Sequence, residues 1–205
     1  MAVPCCCFPG STIVTTNHGV RRLDQLVSGD KVLTSSDKKG QGLKWTKLYT
    51  WAHREADRVA EFVILKMSNG KEVQITADHL LFVAGKKGRV AKKAGQVTTA
   101  DKLYHMNTSG SLELLDVVEI SLEAFTGVYA PLTMTGHFIA NGFLVACYSN
   151  ISDFEVAHVS MAPLRTWYKL FESGQEVEKE GIHGYAKNLM KVRDLLPQSV
   201  QISVN

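Results

Sequence analysis

Asn69-Gly70 and Asn141-Gly142 each stand between two runs of β-branched and aromatic residues, and nothing else in the 205 residues constrains the fold as tightly. Asn-Gly supplies the two positive φ angles of a type I′ turn, which joins antiparallel strands whose twist matches it. Ser68-Asn69-Gly70 thus links Phe62-Val63-Ile64-Leu65 to Val73-Gln74-Ile75, and Asn141-Gly142 links Phe138-Ile139 to Phe143-Leu144-Val145-Ala146. Ile13-Val14, Lys31-Val32-Leu33 and Leu80 to Val83 read as further short strands between Gly, Asn, Asp and Ser. A faint echo runs through this region. Arg21-Arg22, Gln25-Leu26 and Asp30-Lys31-Val32 recur 71 positions later as Lys92-Lys93, Gln96-Val97 and Asp101-Lys102-Leu103, which suggests two similar halves about a pseudo-twofold axis.

After Asn150 the periodicity changes. Ile182, Tyr185, Leu189, Val192 and Leu196 fall at helical spacing, and 155–171 is a second apolar segment in which Pro163 interrupts a continuous helix. The last 55 residues therefore read as a small helical appendage on an all-β body. Each segment must bury its apolar stripe against that body or against an apolar ligand.

Apolar residues make up 45% and charged residues 21% of the chain, which excludes a disordered tail or a collagenous repeat. A net charge of +3 is too small to argue for nucleic acid. Lys86, Lys87, Arg89, Lys92 and Lys93 alternate with Gly and Ala, lack aromatics for base stacking, and read as a solvated loop. No apolar run approaches the roughly 18 residues of a membrane-spanning helix, and Met1 opens no signal segment, so the chain as written reads as soluble. Three consecutive cysteines (Cys5, Cys6, Cys7) and a distant Cys147 do not form a disulfide framework. The histidines show no H-x3-H spacing, and no metal or cofactor is expected.

Two stretches carry chemistry. Cys7-Phe8-Pro9-Gly10 places a thiol just before a tight turn. Thr76-Ala77-Asp78-His79 follows an alternating strand, and i, i+3 spacing in a turn points a hydroxyl and an imidazole the same way. A cysteine and a distant histidine form a candidate nucleophile and acid-base pair; a buried histidine with both nitrogens satisfied is the alternative.

Read together, the words are specific. Cys7-Phe8-Pro9-Gly10-Ser11-Thr12, L-V-S-G-D-K-V from Leu26, T-A-D-H-L-L-F-V from Thr76, A-P-L-T from Ala130 and N-G-F-L-V-A-C-Y from Asn141 resemble the Hint module of hedgehog-type autoprocessing domains, in family order. The likeness continues through A-H-V-S-M-A-P-L-R from Ala157 and G-I-H-G-Y-A-K-N-L from Gly181. It implies a remnant of an upstream segment at 1–6, a pseudo-twofold all-β Hint core at 7–150, and a sterol- or lipid-recognition region at 151–205. Trp167, Tyr168, Leu170, Tyr185 and Leu189 are its candidate lipid contacts.

By position, the resemblance makes Cys7 the residue that attacks the carbonyl before it, turning the Cys6–Cys7 peptide bond into a thioester. His79 protonates the departing nitrogen and Thr76 holds the amide or the oxyanion. A sterol hydroxyl, cholesterol first, then takes the acyl group and releases the upstream polypeptide as a lipid ester. That second step needs a base, and where hedgehogs carry an aspartate this chain has His53 in Trp51-Ala52-His53-Arg54. His53 is either the base, with a different charge and shape, or a surface histidine without a role. Cys6 replaces the usual glycine before the nucleophile. Cys147 matches a family cysteine that can pair with it and lock the precursor.

The resemblance further implies a monomeric domain, a covalently linked upstream signalling domain, membrane contact through 151–205, and a parent in the secretory pathway. Asn107-Thr108-Ser109 and Asn150-Ile151-Ser152 match glycosylation acceptors on that route. Protein splicing, the other activity of this fold, calls for His before a terminal Asn, and Val204 precedes Asn205. Hydrolysis with water as acceptor and a processing-inactive binding module are the remaining alternatives.

Overall fold

The computed structural model describes residues 7–36, 42–86, 88–149, 153–170, 181, 182 and 184. The first half of the body is the hairpin β1 (Ile13–Thr16) and β2 (Gly19–Arg22), then β3 (Lys31–Ser35) and the long β4 (Leu43–Met67). After β5 (Glu72–Ile75), the second half repeats this plan with β6 (His79–Gly85), β7 (Gly88–Lys93), β8 (Lys102–Met106) and the long β9 (Leu112–Thr133). The hairpin β10 (His137–Ala140) and β11 (Phe143–Ser149) completes the body. Helices α1 (Phe154–Ser160) and α2 (Ala162–Leu170) follow, and a short strand β12 (Gly181–Ile182) pairs with β4 at His53 and Arg54.

The echo in the sequence is structural. One-turn 3-10 segments at Leu23–Gln25 and Ala94–Gln96 occupy matching places, each closed at its end by a backbone bond, Leu26 N–H to Leu23 carbonyl and Val97 N–H to Ala94 carbonyl. The Asp30 carboxylate accepts from Val27 N–H, and the Asp101 carboxylate accepts from Thr98 N–H 71 positions on. Each aspartate thereby fixes the bend that launches β3 or β8. The halves are joined by β4 and β9, which run antiparallel from Leu48 opposite Thr133 to Met67 opposite Val117, with four register shifts. Such shifts bend a strand and increase its twist, and they let so long a ribbon curl around the core.

The sheet order is β10-β11-β6-β8-β9-β4-β3-β1-β2. Phe8, Leu23, Leu48, Leu65, Ile75, Phe138 and Phe143 fill its concave side. Both Asn-Gly pairs join the expected strands, but the two positive φ angles of a type I′ turn occur only at Asn141-Gly142; at 69–70 Gly70 alone is positive, at +78°. Asn141 has φ +49° and its side chain accepts from Ile13 N–H and donates to Gln74, stitching the last hairpin to the first strand.

Two readings need correction. The basic stretch from Arg89 to Lys93 is not a solvated loop but lies in strand β7. The Arg89 guanidinium stacks on Phe82 at 4.6 Å, and Lys92 pairs with Asp101 at 2.6 Å, so partners from β6 and from the bend before β8 order a segment of loop-like composition. Ile182 is in a strand, because the exposed edge of β4 offers it backbone partners; Tyr185, Leu189, Val192 and Leu196 lie outside the described residues. The interruption expected at Pro163 is present: the helix breaks at Met161, and Pro163 falls in the first turn of α2, where its missing N–H costs nothing. Helix α1 packs Ala157 against the β body, and Met161 beyond it is buried in the same core.

His137 on β10 is buried, and its ring is fixed from both sides. Arg89 donates to Nε2 at 3.2 Å, so Nδ1 carries the proton and donates to the Thr34 hydroxyl at 2.6 Å, which donates in turn to the His137 carbonyl at 2.8 Å. Burial, and then the charge of Arg89, push this imidazole down to about 3. The sign follows from linkage: below 6.5 the unfolded chain takes up a proton that the folded chain refuses until about 3, so stability is full above 6.5 and lost as pH falls. Urea midpoints measured from about pH 7 down to about pH 4 are expected to decline, and His137→Gln is expected to flatten that decline.

Candidate active site

Cys7 is fully buried at the point where the chain enters the body, and its backbone is held on both sides. The Cys7 N–H donates to Thr76 Oγ1 at 2.8 Å, and the Cys7 carbonyl accepts from Thr76 N–H at 3.0 Å. One residue further, Phe8 and Tyr129 of β9 exchange two backbone bonds of 2.8 and 3.0 Å. The entry is tight. A Cβ on Gly10 would come 2.9 Å from the Tyr129 ring and 3.1 Å from Asp24, and Gly127, at φ +91°, would meet the same ring and Gly10 N. Only glycine fits this conformation and spacing at 127.

The 76–79 stretch forms the expected turn, closed by His79 N–H donating to the Thr76 carbonyl at 3.0 Å. It is braced from the second half, where Gly95 N–H donates to the Ala77 carbonyl at 2.8 Å. His79 is buried, its ring set edge-on to Phe8 at 4.6 Å, and Nε2 is 2.8 Å from the Ala146 carbonyl of β11. A carbonyl can only accept, so Nε2 carries a proton and Nδ1 is the nitrogen left for exchange with the surroundings.

His53 is not at the surface: it is 3% exposed on β4, at the bulge between Trp51 and His53. Its Nδ1 is 3.5 Å from Cys7 Sγ, and its Nε2 is 2.8 Å from Glu55 Oε1. Glu55 also accepts from Arg58 Nη1 at 3.2 Å. The hydrogen bond from His53, and less strongly Arg58, hold the Glu55 carboxyl below the usual carboxylate range. The sulfur lies in an apolar cluster of Phe62, Ile64, Val128 and Ala130.

Sequence reasoning thus located Cys7, Thr76, His79 and His53 and missed Glu55, Arg58 and Tyr129. His-x-Glu on a strand puts both side chains on one face, a signal that was available for Glu55. Cys6, the other half of the proposed cleavage bond, lies outside the described residues, as do Tyr185 and Leu189. Of the candidate lipid contacts, Trp167 and Leu170 are 57% and 72% exposed on α2, whereas Tyr168 turns inward to Tyr49 with ring centroids 5.4 Å apart. Cys147 is buried in the main core beside the Thr133 hydroxyl at 3.3 Å, and no disulfide joins it to Cys7. Among the described residues no three His, Cys, Asp or Glu side chains converge as a metal site, and no helix is long and apolar enough to cross a membrane.

Comparison with known proteins fits this geometry. The family model for the Hint module matches residues 2–198. The chain is 30% identical over 203 residues to the Indian hedgehog B protein of Danio rerio, covering 94% of this chain and 49% of that protein. It is 27% identical to Warthog protein 4 of Caenorhabditis elegans, covering 93% and 37%. The chain therefore spans about half or less of the length of these curated relatives. Among solved structures, the gp41-1 intein superimposes with a TM-score of 0.54 at 16% identity, over 69% of this chain and 98% of the intein, a likeness of fold.

Burial pushes the Cys147 thiol up to about 12, and thiolate is the form that alkylates. Iodoacetamide at about pH 8 is expected to leave Cys147 unmodified in the folded protein and to label it fully in denaturant, read by peptide mass spectrometry.

Proposed function

The chain belongs to the Hint module family, and from that membership we propose that it is a self-cleaving domain of the hedgehog type. Cys7 Sγ attacks the carbonyl carbon of residue 6, the C–N bond breaks, and the upstream polypeptide is held as a thioester. The observation that carries this reading is the grip of Thr76 on both backbone groups of Cys7, with the thiol 3.5 Å from an imidazole. Thr76 Oγ1 lies at the nitrogen that must leave, and His79 supplies the proton it takes. Pre-set hydrogen bonds to the reacting groups need no reorganisation as charge develops.

In the second step a hydroxyl attacks the thioester and gives up its proton to His53, and the upstream polypeptide departs as a C-terminal ester. A sterol is the proposed acceptor, with cholesterol first, and the exposed Trp167 and Leu170 of the 151–205 region are its proposed contacts. The proposed partner in cis is an upstream signalling domain, and the proposed site of processing is the secretory pathway. No resident cofactor enters this scheme. A specific observation favours a second reading of the acceptor: His53 stands where an aspartate is the family expectation, with Glu55 at its back, and an imidazole so backed also activates water. The first product then remains a free acid.

A reporter fused ahead of Met1 tests the first step. Dithiothreitol is expected to release it, Cys7→Ala to abolish release, and His79→Ala to slow it by roughly 10²-fold or more. No release at any thiol concentration would leave a Hint-fold binding module. Mass spectrometry of the released fragment, with and without added sterol, decides the acceptor. A sterol-sized increment is expected, and a free acid in both samples would assign water.

A further inference from the structure

We propose that His53, positioned by Glu55, is the base that takes the Cys7 thiol proton in the first step, so that one imidazole serves both acyl transfers. The proposal rests on the self-cleavage reading and goes beyond it, since that reading needs His53 only for the acceptor. Three distances carry it: Cys7 Sγ to His53 Nδ1 at 3.5 Å, His53 Nε2 to Glu55 Oε1 at 2.8 Å, and Arg58 Nη1 to Glu55 Oε2 at 3.2 Å. A carboxylate can only accept, so Glu55 keeps the proton on Nε2 and aims the Nδ1 lone pair at the sulfur. This is the order in which a nucleophile, a base and an orienting acid work together. Arg58 fixes the carboxylate in turn.

The surroundings give the arrangement its force. The sulfur is fully buried among apolar side chains, away from bulk water that could accept its proton. The second imidazole has a different task, because His79 Nε2 is committed to the Ala146 carbonyl. Around His53 the facing groups are Cys7 from the entering chain, Glu55 and through it Arg58 on β4, the uncharged Ala130 opposite on β9, and the backbone of β12 at Ile182.

The step balances. The thiol proton moves to His53 Nδ1, the sulfur electron pair adds to the carbonyl carbon of residue 6, and the C–N pair goes to the Cys7 nitrogen, which takes the Nδ1 proton of His79, the imidazolium in this step. His53 has gained one proton and His79 has lost one, and exchange through solvent resets both. In the second transfer the acceptor hydroxyl gives its proton to the same Nδ1, which passes it to the departing Cys7 sulfur.

The test uses the whole chain with the upstream reporter and dithiothreitol, without sterol, so that only thioester formation is read. His53→Ala is expected to slow release by roughly 10²-fold, the lower end of what a positioned base contributes. His53→Gln fills the same space and still accepts from the thiol but cannot take its proton. Equal loss in that variant supports proton transfer, and a rate near the parent's overturns it. Glu55→Ala is expected to cost about tenfold, and Glu55→Gln, whose amide oxygen still accepts from Nε2, to recover most of that loss. Nitrogen NMR of the His53 ring supplies a readout that packing alone does not move: the parent and Glu55→Gln keep the Nε2–H tautomer, and Glu55→Ala populates Nδ1–H. Unchanged release in both His53 variants, with ester formation lost, would confine His53 to the acceptor step. An unchanged tautomer and rate in Glu55→Ala would remove Glu55. A parent that releases no reporter sinks the self-cleavage reading and this one with it, whereas in the other failures the parent still cleaves.

Discussion

The antiparallel pairing of the two long strands is the constraint from which the rest follows. β4 begins beside β3 of its own half and then runs along β9, which begins beside β8 of the other half. Neither half can satisfy its long strand's backbone groups without its counterpart, and leaving such groups buried and unpaired is costly. The ribbon is also what makes a site possible. It carries His53 on one strand and Tyr129 and Ala130 on the other, and the entering chain docks on Tyr129 so that Cys7 falls between them. The bulge at Trp51 and His53 is the local irregularity that goes with this placement.

Two imidazoles of one protein here receive different instructions by the same device. In both, an acceptor holds the proton on Nε2 and leaves the other nitrogen for chemistry, but for His79 the acceptor is a neutral carbonyl and for His53 a carboxylate. Both acceptors orient a ring, and the hydrogen bond to the carboxylate is the charge-assisted kind. His79 and His53 are thus distinguished by their second partners, not by residue type.

What the sequence showed depended on how local the cause was. The Asn141-Gly142 hairpin and the 76–79 turn were legible because their geometry is dictated by residues within four positions. The halves were legible through the two aspartates that cap equivalent bends. His53 was ambiguous because its burial comes from β9 and from Cys7 lying over it, neither of which its neighbours in sequence announce. Arg89 looked solvated for the same reason: Phe82 is close in sequence, but the imidazole it donates to is 48 residues away. Glu55 was readable from strand alternation and was passed over.

The order in which the partners of Cys7 occur along the chain has a temporal consequence. Cys7 leaves the ribosome before the groups that hold or orient its surroundings, which follow in the order Glu55, Thr76 and His79, Tyr129, and last the Ala146 carbonyl that fixes His79. Domains made on the ribosome fold as units once their long-range contacts exist. A chain arranged this way cannot assemble its cysteine pocket while only the leading portion has been translated. Whatever polypeptide lies ahead of position 7 has therefore left the ribosome before the pocket around Cys7 is assembled.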